Sequence, residues 1–124
     1  MSTSARASLF YGVMLNQDGY EKLSKRLMVK PMKSDDEVVI AINREIQMEL
    51  IANTMRFKIV WCTQEFSDKE QYGIAVYDKT VHDYDNDRAF KIPSETILNE
   101  KWEKLAKTLK ISKKPGWHLF TEYS

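Results

Sequence analysis

Three aspartates at alternate positions, Asp83, Asp85 and Asp87, have the spacing of cation ligands in a calcium loop. Such a loop also needs a glycine at its sixth position and a bidentate glutamate at its twelfth. Counted from Asp83, those positions hold Arg88 and Ser94. Aspartate and asparagine are common in turns for reasons unrelated to metals. We interpret the segment as a polar turn and predict no metal and no cofactor; a weak divalent-metal enzyme stays as a third hypothesis.

The other residues with catalytic potential are two histidines, one cysteine and a pair of glutamates. His82, His118 and Cys62 supply one ligand too few for a structural zinc site. Glu45 and Glu49 lie four residues apart on a predicted helix and suit its solvated face. The chain has no nucleophile elbow, P-loop, dinucleotide-binding glycine motif or zinc-protease motif. These observations favour a protein that is not an enzyme.

The length and net charge of the chain are typical of a single domain. The chain has 124 residues and a formal net charge of +1, so we expect a single domain over 1–124 without a global field for nucleic acid or anionic lipid. A single cysteine excludes an internal disulfide and suits a reducing compartment. There is no secretory signal pattern and no apolar run of about 18 residues. We therefore predict a cytoplasmic location and no membrane partner.

The apolar patterns predict alternating strands and helices. Strands are expected at 8–15, 56–63, 71–81 and 117–123, a short fifth strand at 88–92, and helices at 18–28, 34–54 and 93–110. Ser94 is the predicted N-cap of the last helix. The order indicates an α+β fold: an antiparallel sheet of four to five strands with three helices, in ferredoxin-like (split βαβ) order with an extra helix.

The segment 34–54 is open to two interpretations. Its β-branched run "EVVIAI" suits a strand. Ser34 with Glu37 forms a capping box, which indicates a helix. The apolar residues that follow helical spacing are Val39, Ile42, Ile46 and Leu50. We favour the helix because the cap and the stripe agree.

Apolar residues fall on both faces of the predicted strands. A sheet with one wet face should alternate apolar and polar residues, and these strands do not. We therefore expect a second cover over the sheet: the additional helix, a symmetry mate or another protein. The second face or its edge is the predicted contact surface, and the residues proposed for binding are Trp61, Tyr72, Trp117, Tyr77 and Phe10.

The segment "EQYGIAVY" resembles the third-strand signature of the RNA-recognition motif, whose plan is also βαββαβ. Tyr72, Gly73 and Tyr77 match that signature, whereas Glu70 replaces a basic residue and Ile74 replaces the central aromatic. The resemblance implies base stacking on the sheet, with Phe10 on the first strand as a companion. It makes a single-stranded nucleic-acid or nucleotide binder the second hypothesis.

Basic residues form two groups. One lies on and after the first helix, and the other recurs every three residues along the last helix. They are Lys22, Lys25, Arg26, Lys30, Lys33, Lys101, Lys104, Lys107, Lys110 and Lys113. We interpret both groups as solubilising faces, which would form one patch only if the fold places them side by side.

The leading hypothesis is a small non-catalytic protein–protein interaction module. Chains of this size without a reactive constellation are common among phage-encoded inhibitors of host proteins and among accessory subunits, an analogy of general character. The expected partner is another protein, with a homodimer as an option.

Overall fold

Four strands and three helices make up the part of the chain that the computed structural model describes, residues 5–27, 35–61, 72–82 and 91–123. In chain order they are β1 (Ala5–Leu15), α1 (Gln17–Leu27), α2 (Glu37–Met55), β2 (Lys58–Trp61), β3 (Tyr72–His82), α3 (Glu95–Leu109) and β4 (Gly116–Tyr123). The α+β class and the three helices predicted from the sequence are confirmed.

The strands form one antiparallel sheet in the order β2-β3-β1-β4. The two long strands β1 and β3 lie in the centre, because β1 pairs with β3 and β4, and β3 pairs with β1 and β2. The predicted fifth strand falls mostly outside the described residues, and its last two, Lys91 and Ile92, are not in a strand.

A β-bulge interrupts the pairing of the two central strands. Tyr11 pairs with Tyr77 and the next residue, Gly12, pairs with Ala75, so Val76 is the extra residue. The strands approach closely here: a Cβ on Gly12 would lie 1.9 Å from the carbonyl oxygen of Ile74. Glycine is therefore required at position 12. Because of the extra residue, each β3 residue after Val76 lies on the face opposite to the one that strict alternation would give it.

The helix ends have clear local causes. The Val38 amide donates to Asp36 Oδ1 at 2.9 Å, so Asp36 is the N-cap of α2. The Ile97 amide donates to Ser94 Oγ at 3.3 Å, which confirms Ser94 as the N-cap of α3. Arg56 and Lys110 end these helices in the left-handed conformation. The proposed cap Ser34 lies outside the described residues.

The main core lies between the helices and one face of the sheet. Its buried members are Val13, Tyr20, Leu23, Met48, Ala52, Phe57, Tyr72, Ile74, Trp102, Leu105 and Leu109. A second, smaller cluster contains Phe10 and Ala75, with Met14 and Val60 packed against them.

The second cluster lies on the sheet face away from the helices. Phe10 pairs across strands with Asp78 and Ala75 pairs with Lys58, so these four residues share that face. Asp78 and Lys58 are exposed, while Phe10 and Ala75 are fully buried. The second face therefore combines an apolar centre with charged residues beside it.

Candidate interaction surface

The most exposed run of large apolar residues lies on α2, on the side that points away from the core. Val39, Ile42, Ile46 and Leu50 are between 36% and 61% exposed, and Val38 beside them is 65% exposed. We call the first four the α2 stripe. They follow the spacing i, i+3, i+7, i+11, which places them on one side of a helix.

The opposite side of α2 is what holds the helix to the protein. Met48 is fully buried and Ala52 is 5% exposed, and both belong to the main core. A helix turns about 100° per residue, so Met48 points about 200° away from Ile46. The helix is thus apolar on two opposite sides, and only one of them is used in the fold.

Acidic residues lie on one side of the α2 stripe and at the start of its helix. Glu45 and Glu49 are exposed and lie along one flank of the stripe. Asp35, Asp36 and Glu37 are exposed at the start of the helix. The helix dipole favours carboxylates at a helix N-terminus, which explains the position of Asp35, Asp36 and Glu37. It does not explain Glu45 and Glu49, which lie further along the helix.

The basic residues of α2 do not neutralise that flank. Arg44 points to the core side, where its Nη1 lies 3.7 Å from Glu21 Oε1. Arg56 is exposed at the far end of the helix. The surface around the α2 stripe is therefore apolar along its length and negative along one flank.

Two of the residues proposed for binding, Trp61 and Tyr72, lie on the helix-covered face of the sheet. The Tyr72 ring stacks on Tyr20 of α1 with centroids 4.0 Å apart, and Trp61 packs edge-on against it at 4.8 Å. Tyr72 is 6% exposed and Trp61 41% exposed. Burial raises the pKa of Tyr20 to about 12 and, less strongly, that of Tyr72, which Arg44 opposes. Of this group, Trp61 is the one open to a partner.

Tyr77 and Trp117 lie on the same face, at the other end of the sheet. Trp117 packs edge-on against Tyr11 at 5.1 Å and against Tyr77 at 6.1 Å. Tyr11 donates a hydrogen bond to the side-chain oxygen of Asn99 on α3. Burial, and the charge of Glu95 to a lesser extent, raise the pKa of Tyr11. Tyr77 and Trp117 therefore form a second aromatic group, separate from that of Trp61 and Tyr72.

Phe10, the fifth proposed residue, lies on the opposite face and is fully buried. Its ring stacks on His118 with centroids 5.0 Å apart. It also occupies the space beside Gly73, where a Cβ would lie 2.7 Å from Phe10 Cζ. Gly73 therefore serves packing of this ring, and His118 is half-buried against it.

The fold brings part of the first group of basic residues next to part of the second. Lys22 and Arg26 of α1 line one cleft together with Lys110 and Lys113, which follow α3. Three of these cations have contacts within the chain. Arg26 Nη2 donates to the Leu109 carbonyl at 3.0 Å, Lys113 Nζ to the Met14 carbonyl at 2.6 Å, and Lys22 Nζ lies 3.1 Å from an Asp18 carboxylate oxygen. Their placement therefore has structural reasons.

The candidate metal and thiol residues fall largely outside the described part of the chain. Asp83, Asp85, Asp87 and Cys62 are all outside it, as is the side chain of His82. Among the residues that are described, no group of three His, Cys, Asp or Glu side chains has the arrangement of a metal site. Glu45 and Glu49 are exposed, as expected for a solvated helix face.

Sequence reasoning identified the α2 stripe but did not identify it as a surface. The signal that could have done so is a second apolar set on the same helix, Met48, Ile51, Ala52 and Met55, which is buried or partly buried in the main core. Two apolar sets on opposite sides of one helix cannot both face a single sheet.

Comparison with known proteins found no matching family model, no matching curated protein and no matching solved structure. None of the helices in the described ranges has the length and apolar character needed to cross a lipid bilayer.

Proposed function

We propose that this protein is a non-catalytic protein–protein interaction module and that the α2 stripe is its contact surface. The observation that carries this proposal is the exposure of four large aliphatic side chains along about three turns of one helix. Contiguous apolar surface of this kind marks interaction sites on soluble proteins. Anchors at i, i+3, i+7 and i+11 are the pattern by which helices bind protein grooves and other helices.

The rest of the fold suits a rigid support for this surface. Both ends of α2 are fixed, by the Asp36 cap and by the bond from the Arg56 amide to the Ala52 carbonyl. Met48 and Ala52 hold the helix to the core. The stripe is thus presented without a cost for ordering the helix, which benefits affinity.

We assign the sheet to the ferredoxin-like plan with an extra helix, on the basis of the strand order β2-β3-β1-β4 and its antiparallel pairing. The additional helix in this assignment is one of the two that connect β1 to β2. We also keep the cytoplasm as the proposed location and a host protein as a candidate partner of a phage-type inhibitor or accessory protein.

The second hypothesis, a nucleic-acid or nucleotide binder on the sheet, draws less support. Stacking platforms need exposed aromatic rings. Two of the rings that it needs, Phe10 and Tyr72, are buried, and they lie on opposite faces of the sheet. No described residue favours the third hypothesis, a metal-dependent enzyme.

The test compares capture by wild type with capture by the double variant Ile42→Ser/Ile46→Ser. The bait is incubated with native lysate of cells that contain the protein, and retained proteins are quantified by mass spectrometry. Ile97→Ser is the matched control, because Ile97 is an exposed isoleucine (49%) on α3, away from the stripe. We expect a partner that is retained by wild type and by Ile97→Ser and lost with the double variant.

Circular dichroism and thermal melts must first show that the double variant is folded, as its exposed positions predict. Equal retention by all three baits would contradict the proposal.

A further inference from the structure

We infer that the α2 stripe binds an amphipathic helix with basic flanks that belongs to a different protein, and not a second copy of this chain. This inference rests on the proposed function and specifies its partner. The chemistry of this partner follows from the negative charges beside the stripe and at the start of α2.

The charge along α2 and its ends is unbalanced. Residues 35–56 contain five carboxylates and two arginines. One of the arginines, Arg44, is directed at Glu21 on the core side. On α2 itself, the charged residues beside the exposed apolar side chains are Glu45 and Glu49. A partner that covers the stripe must therefore place cations, or at least no anions, against that flank.

A second copy in antiparallel orientation fails this requirement. A two-fold axis perpendicular to both helices brings each flank against the same flank of the other copy, because such interfaces are isologous. Glu45 lies about 100° and Glu49 about 60° from Ile46 in the same direction around the helix. Four glutamates would then line one side of the interface, with like charges opposed.

A second copy in parallel orientation fails for a different reason. A two-fold axis parallel to the helices places the glutamate flank beside Asn43 and Gln47, which removes that repulsion. However, it sets the two acidic N-termini side by side, with Asp35, Asp36 and Glu37 from each copy, and it aligns the helix dipoles. Both symmetric arrangements therefore oppose like charges.

The size of the stripe makes the charges beside it decisive. Val39 to Leu50 spans about 16 Å of helix. A stable interface buries about 800 Å² on each partner, which is more than one face of three helical turns provides, so the apolar contact alone is too small for a stable complex. A separate helix with basic flanks adds charge pairs to the apolar contact, and so gains affinity and orientation where a second copy loses them.

The test uses two synthetic peptides of three heptads each. Both have leucine at the a and d positions; one has lysine and the other has glutamate at e and g. Binding to the full chain is measured by fluorescence anisotropy of labelled peptide at low salt and at physiological salt. For wild type we expect the lysine peptide to bind at least tenfold more tightly than the glutamate peptide, with a preference that decreases as salt rises.

The decisive variant is Glu45→Lys/Glu49→Lys, which reverses the flank without touching the stripe. We expect its preference to switch to the glutamate peptide. The matched control is Glu100→Lys/Glu103→Lys on the exposed side of α3, which changes net charge by the same amount and should keep the wild-type preference. Ile42→Ser/Ile46→Ser should lose at least tenfold in affinity for the lysine peptide.

Three results would overturn the inference: no binding of the lysine peptide at low salt, a preference that the α3 control shifts as much as the α2 variant, or sedimentation that shows a wild-type dimer lost with Ile42→Ser/Ile46→Ser. Each is separate from failure of the proposed function. If the stripe variant loses its captured partner while the peptides show no charge preference, the module stands and the basic helix is wrong.

Discussion

The helices α2 and α3 show how differently two apolar patterns can be used in one fold. On α3, the residues at helical spacing, Leu98, Trp102, Leu105 and Leu109, are all buried, and charged residues cover the outer side. On α2, one apolar set at helical spacing, the α2 stripe, forms the outer side, and a second set that includes Met48 and Ala52 is buried. A regular apolar stripe thus identifies a helix without telling which way the helix faces.

The difference has a functional meaning because surplus apolar surface has a cost in solution. The α3 pattern is complete once the helix packs on the sheet. The α2 pattern leaves four aliphatic side chains in water, which gains nothing for folding and creates a risk of aggregation. A surface that the fold does not need is the natural candidate for one that binding needs.

The largest expected effect is the difference in stability loss between a substitution on the buried side of α2 and one on its exposed side. Met48→Ala should lower the free energy of unfolding by about 2–5 kcal/mol, because it removes a fully buried side chain and leaves a cavity. Ile46→Ala should change it by less than about 0.5 kcal/mol, because Ile46 is 55% exposed. Urea unfolding followed by tryptophan fluorescence measures both. Similar losses for the two variants would mean that the α2 stripe packs within the protein, and the comparison with α3 would break down.

A pH effect should report on the packing of α1 and α2 over the sheet. Burial raises the pKa of Tyr20 from 10.0 to about 12, so the folded state keeps its proton at a pH where the unfolded state releases it. The contribution of Tyr20 is complete below pH 10 and is lost as the pH rises towards 12. The change is at most ~2.7 kcal/mol, since one pKa unit corresponds to ~1.4 kcal/mol.

Tyr20→Phe is the matching variant for this effect. Urea unfolding of wild type and variant between pH 8 and pH 11 should show a shallower alkaline loss for Tyr20→Phe. Parallel pH profiles would mean that Tyr20 is solvated, and would weaken the placement of α1 beside α2.

The smallest effects on stability should come from the N-cap residues, one of which begins α2 and the other α3. Asp36→Ala and Ser94→Ala should each lower the free energy of unfolding by about 1 kcal/mol, because each removes the acceptor for an amide in the first turn. Asp36→Asn and Ser94→Thr keep an acceptor and serve as controls. If Asp36→Ala has no effect while Ser94→Ala does, the start of α2 is not ordered as described, and the rigid support proposed for its stripe would be lost.

Much of the fold could be predicted from local patterns. The three helices, the four strands and the Ser94 cap follow from periodicity and from residue types whose physics is local. The direction of α2 could not be predicted in this way, because it depends on which of two apolar sides matches the sheet. The predicted binding residues show the same limit. Strict strand alternation would place Tyr72 and Tyr77, which are five residues apart, on opposite faces, whereas the bulge at Val76 puts them on the same face.

That bulge makes β3 tolerant of one particular deletion. Val76 has no pairing partner on β1, so without it Tyr77 would stay opposite Tyr11 and Ala75 would stay opposite Gly12, now as consecutive pairs of a regular ladder. Each residue on either side of the deletion would keep its face of the sheet. Val76 is therefore a residue that the strand could lose without moving Tyr77 away from Tyr11 and Trp117.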